Sequence, residues 1–281
     1  MFRFMLAPLE GYSDAAFRAL CCRHGADLSY TEMAHVESFI RGNKGALQKI
    51  EVRDATPVQI QLLTGREEDL ERFLSGFESF PGFNGFNLNL SCPSRDVISH
   101  GKGAAMVKRT AKTDRLVSIV HHHGYACSVK LRLGVNDFEK QQKVYLNSIK
   151  LVNADFFIIH AKTAVQESRV LEDYSVFSEC VEAASGKPII ANGGIDSSEK
   201  VKEVQSMGVS GVMIGRAALS NAAVFDELRN ELGYNDPPTP IPSIENLRRE
   251  YQRFHTDFRG QGKYSESVNR VLGKPIEREI Y

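Results

Sequence analysis

Cysteine is scarce and scattered. Cys21, Cys22, Cys92, Cys127 and Cys180 form no CxxC or CxxH pair. The chain therefore offers neither the spacing of a zinc site nor a disulfide framework. A reducing, cytoplasmic setting is the expectation. Long apolar runs are missing too, and without about twenty consecutive apolar residues no membrane-spanning helix is expected. The N-terminal MFRFMLAPLEGYSD reaches Pro8 and Glu10 too early for the apolar stretch of a secretory signal. Neither sign of charge is in excess: 35 Lys and Arg stand against 35 Asp and Glu. That balance excludes a uniformly basic nucleic-acid binder but leaves room for a local basic face. With 42% apolar residues the chain is not a disordered one. No GxGxxG follows an apolar run, so a Rossmann dinucleotide site is not indicated.

What is present is alternation. Short apolar runs stand at Phe4–Pro8, Leu28–Tyr30, Val58–Leu63, Phe86–Leu90, Ser128–Leu133, Phe156–His160, Pro188–Asn192 and Gly211–Ile214. Their length and near-continuous apolarity predict strands buried on both faces. Between them, Asp14–His24, Glu67–Phe77, Thr113–His123, Phe138–Val152, Tyr174–Ser185 and Ser197–Met207 carry apolar residues at helical spacing. Gly25, Gly124, Gly186 and Gly208 follow four of them, where helices end. Eight strand-then-helix units predict a closed (β/α)₈ barrel over residues 1–234. The second unit is the least regular, because Thr31–Lys49 has blurred periodicity. Residues 235–242 hold four of the ten prolines and predict an extended linker. Residues 243–281 predict a short helical C-terminal extension, with helices near Ile244–Phe258 and Ser265–Leu272. It is too short for an independent core.

A barrel of this kind builds its active site at the C-terminal ends of its strands. Those ends read Pro8-Leu9-Glu10-Gly11, Gln61, Asn89-Leu90-Ser91-Cys92-Pro93, Lys130-Leu131-Arg132, His160, Asn192-Gly193-Gly194 and Gly215-Arg216. One polar strand end is unremarkable, since loops begin there; their joint occurrence is not. The last two place glycine between a strand and a helix, where backbone N–H groups and a helix N-terminus suit a phosphate. Arg216 adds a guanidinium. The plainer reading is ordinary turn glycines. Lys130 and Arg132 alternate with apolar neighbours, so both face the same way, into the upper barrel. Cys92 opens the longest clear loop of the barrel half, Ser94–Gly103, and a thiol in a cleft can be a nucleophile or a proton donor. The other four cysteines sit in element interiors and suit buried core thiols. His121–His123 cannot chelate one ion from a helix, because adjacent residues do not share a face. They are expected to form a polar helix end, and no metal site is expected.

These motifs resemble the tRNA-dihydrouridine synthase family of flavoenzymes. The matching stretches are LAPLEGYSDAAFR, VQIQLLTG, NLNLSCPSRDVISHGKGAAMV, VKLRLG, IIHAKTAVQ and PIIANGGIDSSEKVKEVQSMGVSGVMIGRAAL, across about residues 3–225. The resemblance implies FMN as cofactor, NADPH or NADH as electron donor, and reduction of uridine to 5,6-dihydrouridine in tRNA or another structured RNA. It implies that Ala7 and Pro8 lie beside the isoalloxazine, that Gln61 and Lys130 hold its polar edge, and that His160 contacts it. Asn192, Gly193, Gly194, Gly215 and Arg216 would cradle the phosphate. Asn89 and Arg132 would face the target base, and Cys92 would give the proton at C5 while a hydride reaches C6. The chain departs from the family pattern at Ser91, where glycine is usual, and at Lys162, where arginine is usual. Its tail of about forty residues replaces a larger helical RNA-binding domain. Arg95, Lys102, Lys108, Arg109 and Lys112 against Asp96 form a local basic stretch that could meet RNA phosphates. Two alternatives stand beside this reading: a flavin reductase of a small ene or pyrimidine substrate, and an RNA-binding barrel with vestigial chemistry.

Overall fold

Strand-then-helix units cross to the next strand with one hand, so eight in a row roll into a closed sheet. The computed structural model, which describes residues 1–50, 52–260 and 262–275, has that form: a (β/α)₈ barrel with a short C-terminal helical extension. The first stave is β1 (Arg3–Leu6), followed by α1 (Ala15–Arg23). The second is split into β2 (Ser29–Tyr30) and β3 (Ala34–His35), followed by α2 (Val36–Ile40) and α3 (Lys44–Lys49). Then come β4 (Val58–Leu63) with α4 (Glu67–Leu74), and β5 (Phe83–Leu90) with α5 (Arg95–Ser99) and α6 (Thr110–His122). Next are β6 (Cys127–Arg132) with α7 (Asp137–Gln141) and α8 (Val144–Leu151), and β7 (Phe156–His160) with α9 (Val176–Ala184). The last two are β8 (Ile189–Asn192) with α10 (Ser198–Ser206), and β9 (Gly211–Ile214) with α11 (Arg216–Ser220) and α12 (Val224–Glu231). From β4 round to β1 the neighbours pair in parallel, and β2 and β3 both pair with β4. The ring closes where Leu6 N donates to Leu28 O at 2.9 Å and Asp27 N to Phe4 O at 2.7 Å.

Period-two alternation sorts the strand residues into two cores. Phe4, Leu6, Ile60, Leu62, Phe157 and Ile159 point outward and join the helices in the large core. Met5, Ala7, Leu28, Tyr30, Phe156, Ile158, Ile190 and Met213 point inward and fill one side of the barrel interior. The other side, built by β4, β5 and β6, is polar and carries the site described below.

Three expectations need correction. Phe138–Val152 is two helices, not one. Lys143 takes a left-handed φ of 51° between α7 and α8. Lys143 and Tyr145 both reach Glu179 of α9, and that tie re-aims α8 against local helix propensity. Ser94–Gly103 is not an irregular loop. It holds α5, anchored by buried Val97, and leads into a 3₁₀ turn at Gly103–Met106. The basic stretch is also partly neutralised: Lys102 pairs with Glu37, and Lys108 with Glu139 at 2.8 Å. His121 and His123 do lie at a helix end, facing Asp155 at 3.1 Å and Glu71 at 2.8 Å.

After α12 the chain runs through the proline-rich segment without helix or strand, then forms α13 (Ile244–Asp257) and α14 (Gly262–Val271). Ser243 caps α13 by accepting from Asn246 N. The helix packs on α1, with Leu247 and Tyr251 fully buried. Residues 276–281 of the expected extension lie outside the described residues. Among the described residues, no helix is long and apolar enough to cross a membrane.

Candidate active site

The polar side of the interior is a ladder of side chains from three adjacent strands. Ser128 Oγ donates to Gln59 Oε1 at 2.6 Å, and Asn87 Nδ2 donates to Ser128 Oγ at 2.7 Å. One layer up, Gln61 Nε2 donates to Asn87 Oδ1 and Asn89 Nδ2 to Gln61 Oε1, both at 2.8 Å. Buried amides that satisfy one another in this way hold a fixed geometry. The top rung sets the thiol. Asn89 Oδ1 accepts from both Ser91 N and Cys92 N at 2.9 Å, turning the chain sharply at the end of β5. Ala104 N donates to Cys92 O at 3.1 Å from the 3₁₀ turn behind it. Gly103, at φ +56°, permits this approach: an added Cβ would fall 2.8 Å from Cys92 O.

Cations surround the thiol. Lys130 Nζ donates to Ser91 Oγ at 3.3 Å, and Arg132 donates to Ser91 O and Thr163 O, both at 2.9 Å. Burial, reinforced by Arg132, pulls the Lys130 ammonium down to about 7, against the opposing influence of Cys92. Burial also lowers Arg132 to about 10, with Cys92 and Glu172 resisting. His160 lies well below its ordinary value, first through burial and then through Arg132, Lys130, Lys162 and Arg216. It is a neutral imidazole at neutral pH.

Across the barrel stand the glycine loops. Gly193 and Gly194 follow β8 at φ +113° and +62°, conformations that side chains resist. Asn192 Nδ2 donates to Met213 O at 2.9 Å and ties β8 to β9. Gly215 differs: a Cβ there would meet only ordinary contacts with Leu9 and Ala7. Arg216 lies a quarter exposed at the start of α11. Ala7 N donates to Ile214 O at 2.8 Å, which carries the β1 end into the same wall.

Every residue singled out at the strand ends for cofactor, substrate or proton transfer lines one cavity of about 790 Å³. Met33, Ser91, Lys162, Gln166, Ser168 and Glu172 line it as well. The sequence reading missed Glu172 altogether, because an acid in a polar loop reads as a solvated side chain. Only the tertiary fold buries it to 5% exposure. Among the described residues, no three His, Cys, Asp or Glu side chains are placed to hold a metal ion.

Comparison with known proteins gives a consistent answer. The family model for dihydrouridine synthase matches residues 5–274, which extends through the tail helices. A "Probable tRNA-dihydrouridine synthase" of Helicobacter pylori (strain ATCC 700392 / 26695) is 30% identical over 249 residues, covering 85% of this chain and 72% of that protein. "Probable tRNA-dihydrouridine synthase 2" of Bacillus subtilis (strain 168) is 28% identical over 98% of this chain and 82% of its own length. "tRNA-dihydrouridine synthase B" of Xanthomonas campestris pv. campestris is 26% identical over 96% of this chain and 82% of its own length.

Proposed function

The chain belongs to the dihydrouridine synthase family, and from that premise we propose that it reduces uridine to 5,6-dihydrouridine in tRNA, with FMN bound in the barrel mouth and NADPH or NADH as electron donor. The observation that carries the reading is the convergence of Cys92, Lys130, Arg132 and His160 on one cavity, with the Gly193–Gly194 turn across the barrel. The residues fit FMN on two counts. The cavity volume lies within the usual range for a cofactor, about 300–1,000 Å³. The groups around it divide into an anion-suited end at the glycines and Arg216 and a hydrogen-bonding end at Gln61 and Lys130.

FMN, when bound, supplies the hydride that adds to C6 of the base. Cys92 holds the proton that completes the reduction at C5, so the C5=C6 double bond gains one hydride and one proton. Asn89 fixes the Cys92 turn, and its amide is committed to Gln61 and to that turn. It positions the thiol in addition to any contact with the base. Arg132 spends two donors on Ser91 O and Thr163 O and has further N–H groups for a pyrimidine carbonyl. Neutral His160 contributes one donor and one acceptor without a charge. The target base must leave its stack to enter the cavity, at a cost of a few kcal/mol that is smallest in a loop.

The purified protein is expected to be yellow and to release FMN. Incubated with NADPH and tRNA lacking dihydrouridine, it should form that nucleoside. Cys92→Ala is expected to retain FMN and nicotinamide-driven flavin reduction, while oxidation by tRNA slows by about 10²-fold or more, the usual scale for a lost general acid. Recovery of FAD, or of no flavin, overturns the cofactor. Turnover of a small ene substrate with none on tRNA favours the small-substrate reductase. Binding of tRNA without turnover favours a vestigial barrel.

A further inference from the structure

The loop from β7 to α9 carries a carboxylate into the glycine cradle. Glu172 Oε1 is buried and accepts no hydrogen bond. Its nearest cations are Lys162 Nζ at 3.7 Å and Arg216 at 3.9 Å. The rest of the side chain lies over the glycine turn. An added Cβ on Gly193 would fall 2.7 Å from Glu172 Cγ, and one on Gly194 would fall 2.6 Å from Glu172 Oε2. The placement is enforced from both flanks. Asp173 N donates to Ala161 O at 2.9 Å, Lys140 Nζ donates to Asp173 Oδ2 at 2.6 Å, and Tyr174 OH donates to Gly193 O at 2.7 Å. On the N-terminal side, Lys162 Nζ donates to Glu167 O and Ser168 O.

A buried carboxylate without a hydrogen-bond donor is unfavourable unless cations compensate it. Here the compensating cations are those that the cofactor reading assigns to a phosphate, Arg216 first among them. An anion seated on Arg216 and the glycine turn would lie close to Glu172 in a low-dielectric setting, where like charges repel strongly.

We propose that Glu172 is a resident anion in the phosphate cradle, which a flavin phosphate must displace or neutralise, and that this carboxylate sets how far the site prefers FMN to riboflavin. The proposal rests on the FMN reading above. Riboflavin has the same ring and ribityl chain but no phosphate, so it senses everything in the cavity except the contested charge.

The test is equilibrium titration of the full-length wild-type protein, Glu172→Gln and Glu172→Ala with FMN and with riboflavin, followed by flavin fluorescence, with thermal melts confirming folding. Both substitutions are expected to tighten FMN about tenfold while moving riboflavin less than about twofold, the pattern of one removed like charge beside the phosphate. Two variants of different size guard against one of them failing to fold. Weaker FMN binding, or an equal change for both flavins, overturns the proposal and makes Glu172 a partner of the ribityl hydroxyls or a loop anchor. Absence of binding by the wild type to either flavin overturns the FMN reading itself, and the proposal with it.

Discussion

Burial strips water from the Lys130 ammonium, and Arg132, two residues along the same strand, repels it. Both effects favour the neutral amine, so this lysine changes charge near physiological pH while its surface counterparts do not. The 13Cε resonance of Lys130 in the flavin-free protein is expected to titrate with a midpoint near 7, cationic below it and neutral above. Arg132→Met should raise that midpoint, and an unchanged midpoint would show that desolvation acts alone. The linkage to stability has a definite sign. The folded value lies below the unfolded one, so this group's contribution is greatest above the ordinary lysine value of 10.5. It falls as pH drops and levels off below about 7. The thiols divide in a similar way. Burial raises Cys21, Cys127 and Cys180 and pushes Cys22 up to about 12. Those groups stay protonated and inert, whereas Cys92 stands half-buried at the cavity with two cations beside it.

At the scale of elements, β5 shows how a single residue shapes the barrel wall. The register with β4 slips between Val58–Phe83 and Ile60–Phe86, and Gly85 sits in the slip at φ +102°. It is a bulge that only glycine tolerates, since an added Cβ would fall 2.4 Å from Ala126 O. Gly85→Ala is expected to destabilise the protein by about 2–4 kcal/mol in urea unfolding; a change under about 0.5 kcal/mol would mean the wall re-registers freely. The bulge also explains why the sequence points to a strand only from Phe86, although pairing begins at Phe83. Most other strands were legible because burial on both faces leaves an unbroken apolar run, as in Val58–Leu63 and Phe156–His160. Their catalytic ends were legible because Gln61, Asn89, Lys130 and Arg132 interrupt those runs at period two. The break before α8 was not legible, because the apolar spacing continues through Lys143 and only Glu179 on another helix decides it. Glu172 was hidden for a related reason: its burial depends on glycines and cations distant in sequence.

For the whole molecule, the question is whether the tail is an attachment or part of the barrel. Leu247, Tyr251, Val268 and Leu272 are fully buried, and burying each such side chain contributes about 1.5–3 kcal/mol. Tyr251 OH donates to Asp14 Oδ2 at 3.3 Å, at the cap of α1, and His24 faces Glu250 at 3.0 Å. Tyr264 OH donates to buried Glu32, whose other oxygen accepts from Gly11 N in the loop after β1. The tail thereby braces two loops at the cavity mouth. A chain ending at Asn235 is accordingly expected to lose most of the usual stability of about 5–15 kcal/mol and to aggregate, so truncation cannot isolate a role in RNA binding. Surface charge can. Arg249 and Arg253 are exposed, with Arg249 paired only to exposed Glu245, whereas Arg248 is held by Leu272 O at 2.6 Å. If the tail meets tRNA phosphates, Arg249→Ala with Arg253→Ala should leave the melting temperature and FMN binding unchanged and weaken tRNA binding. The slope of log affinity against log salt should become shallower by about 1–2, because each lost phosphate contact releases fewer counterions. Filter binding across a salt series reads both quantities. An unaltered slope would assign phosphate contact to Arg95, Arg109 and Lys112 near the Cys92 turn and leave α13 as a brace for the cavity loops.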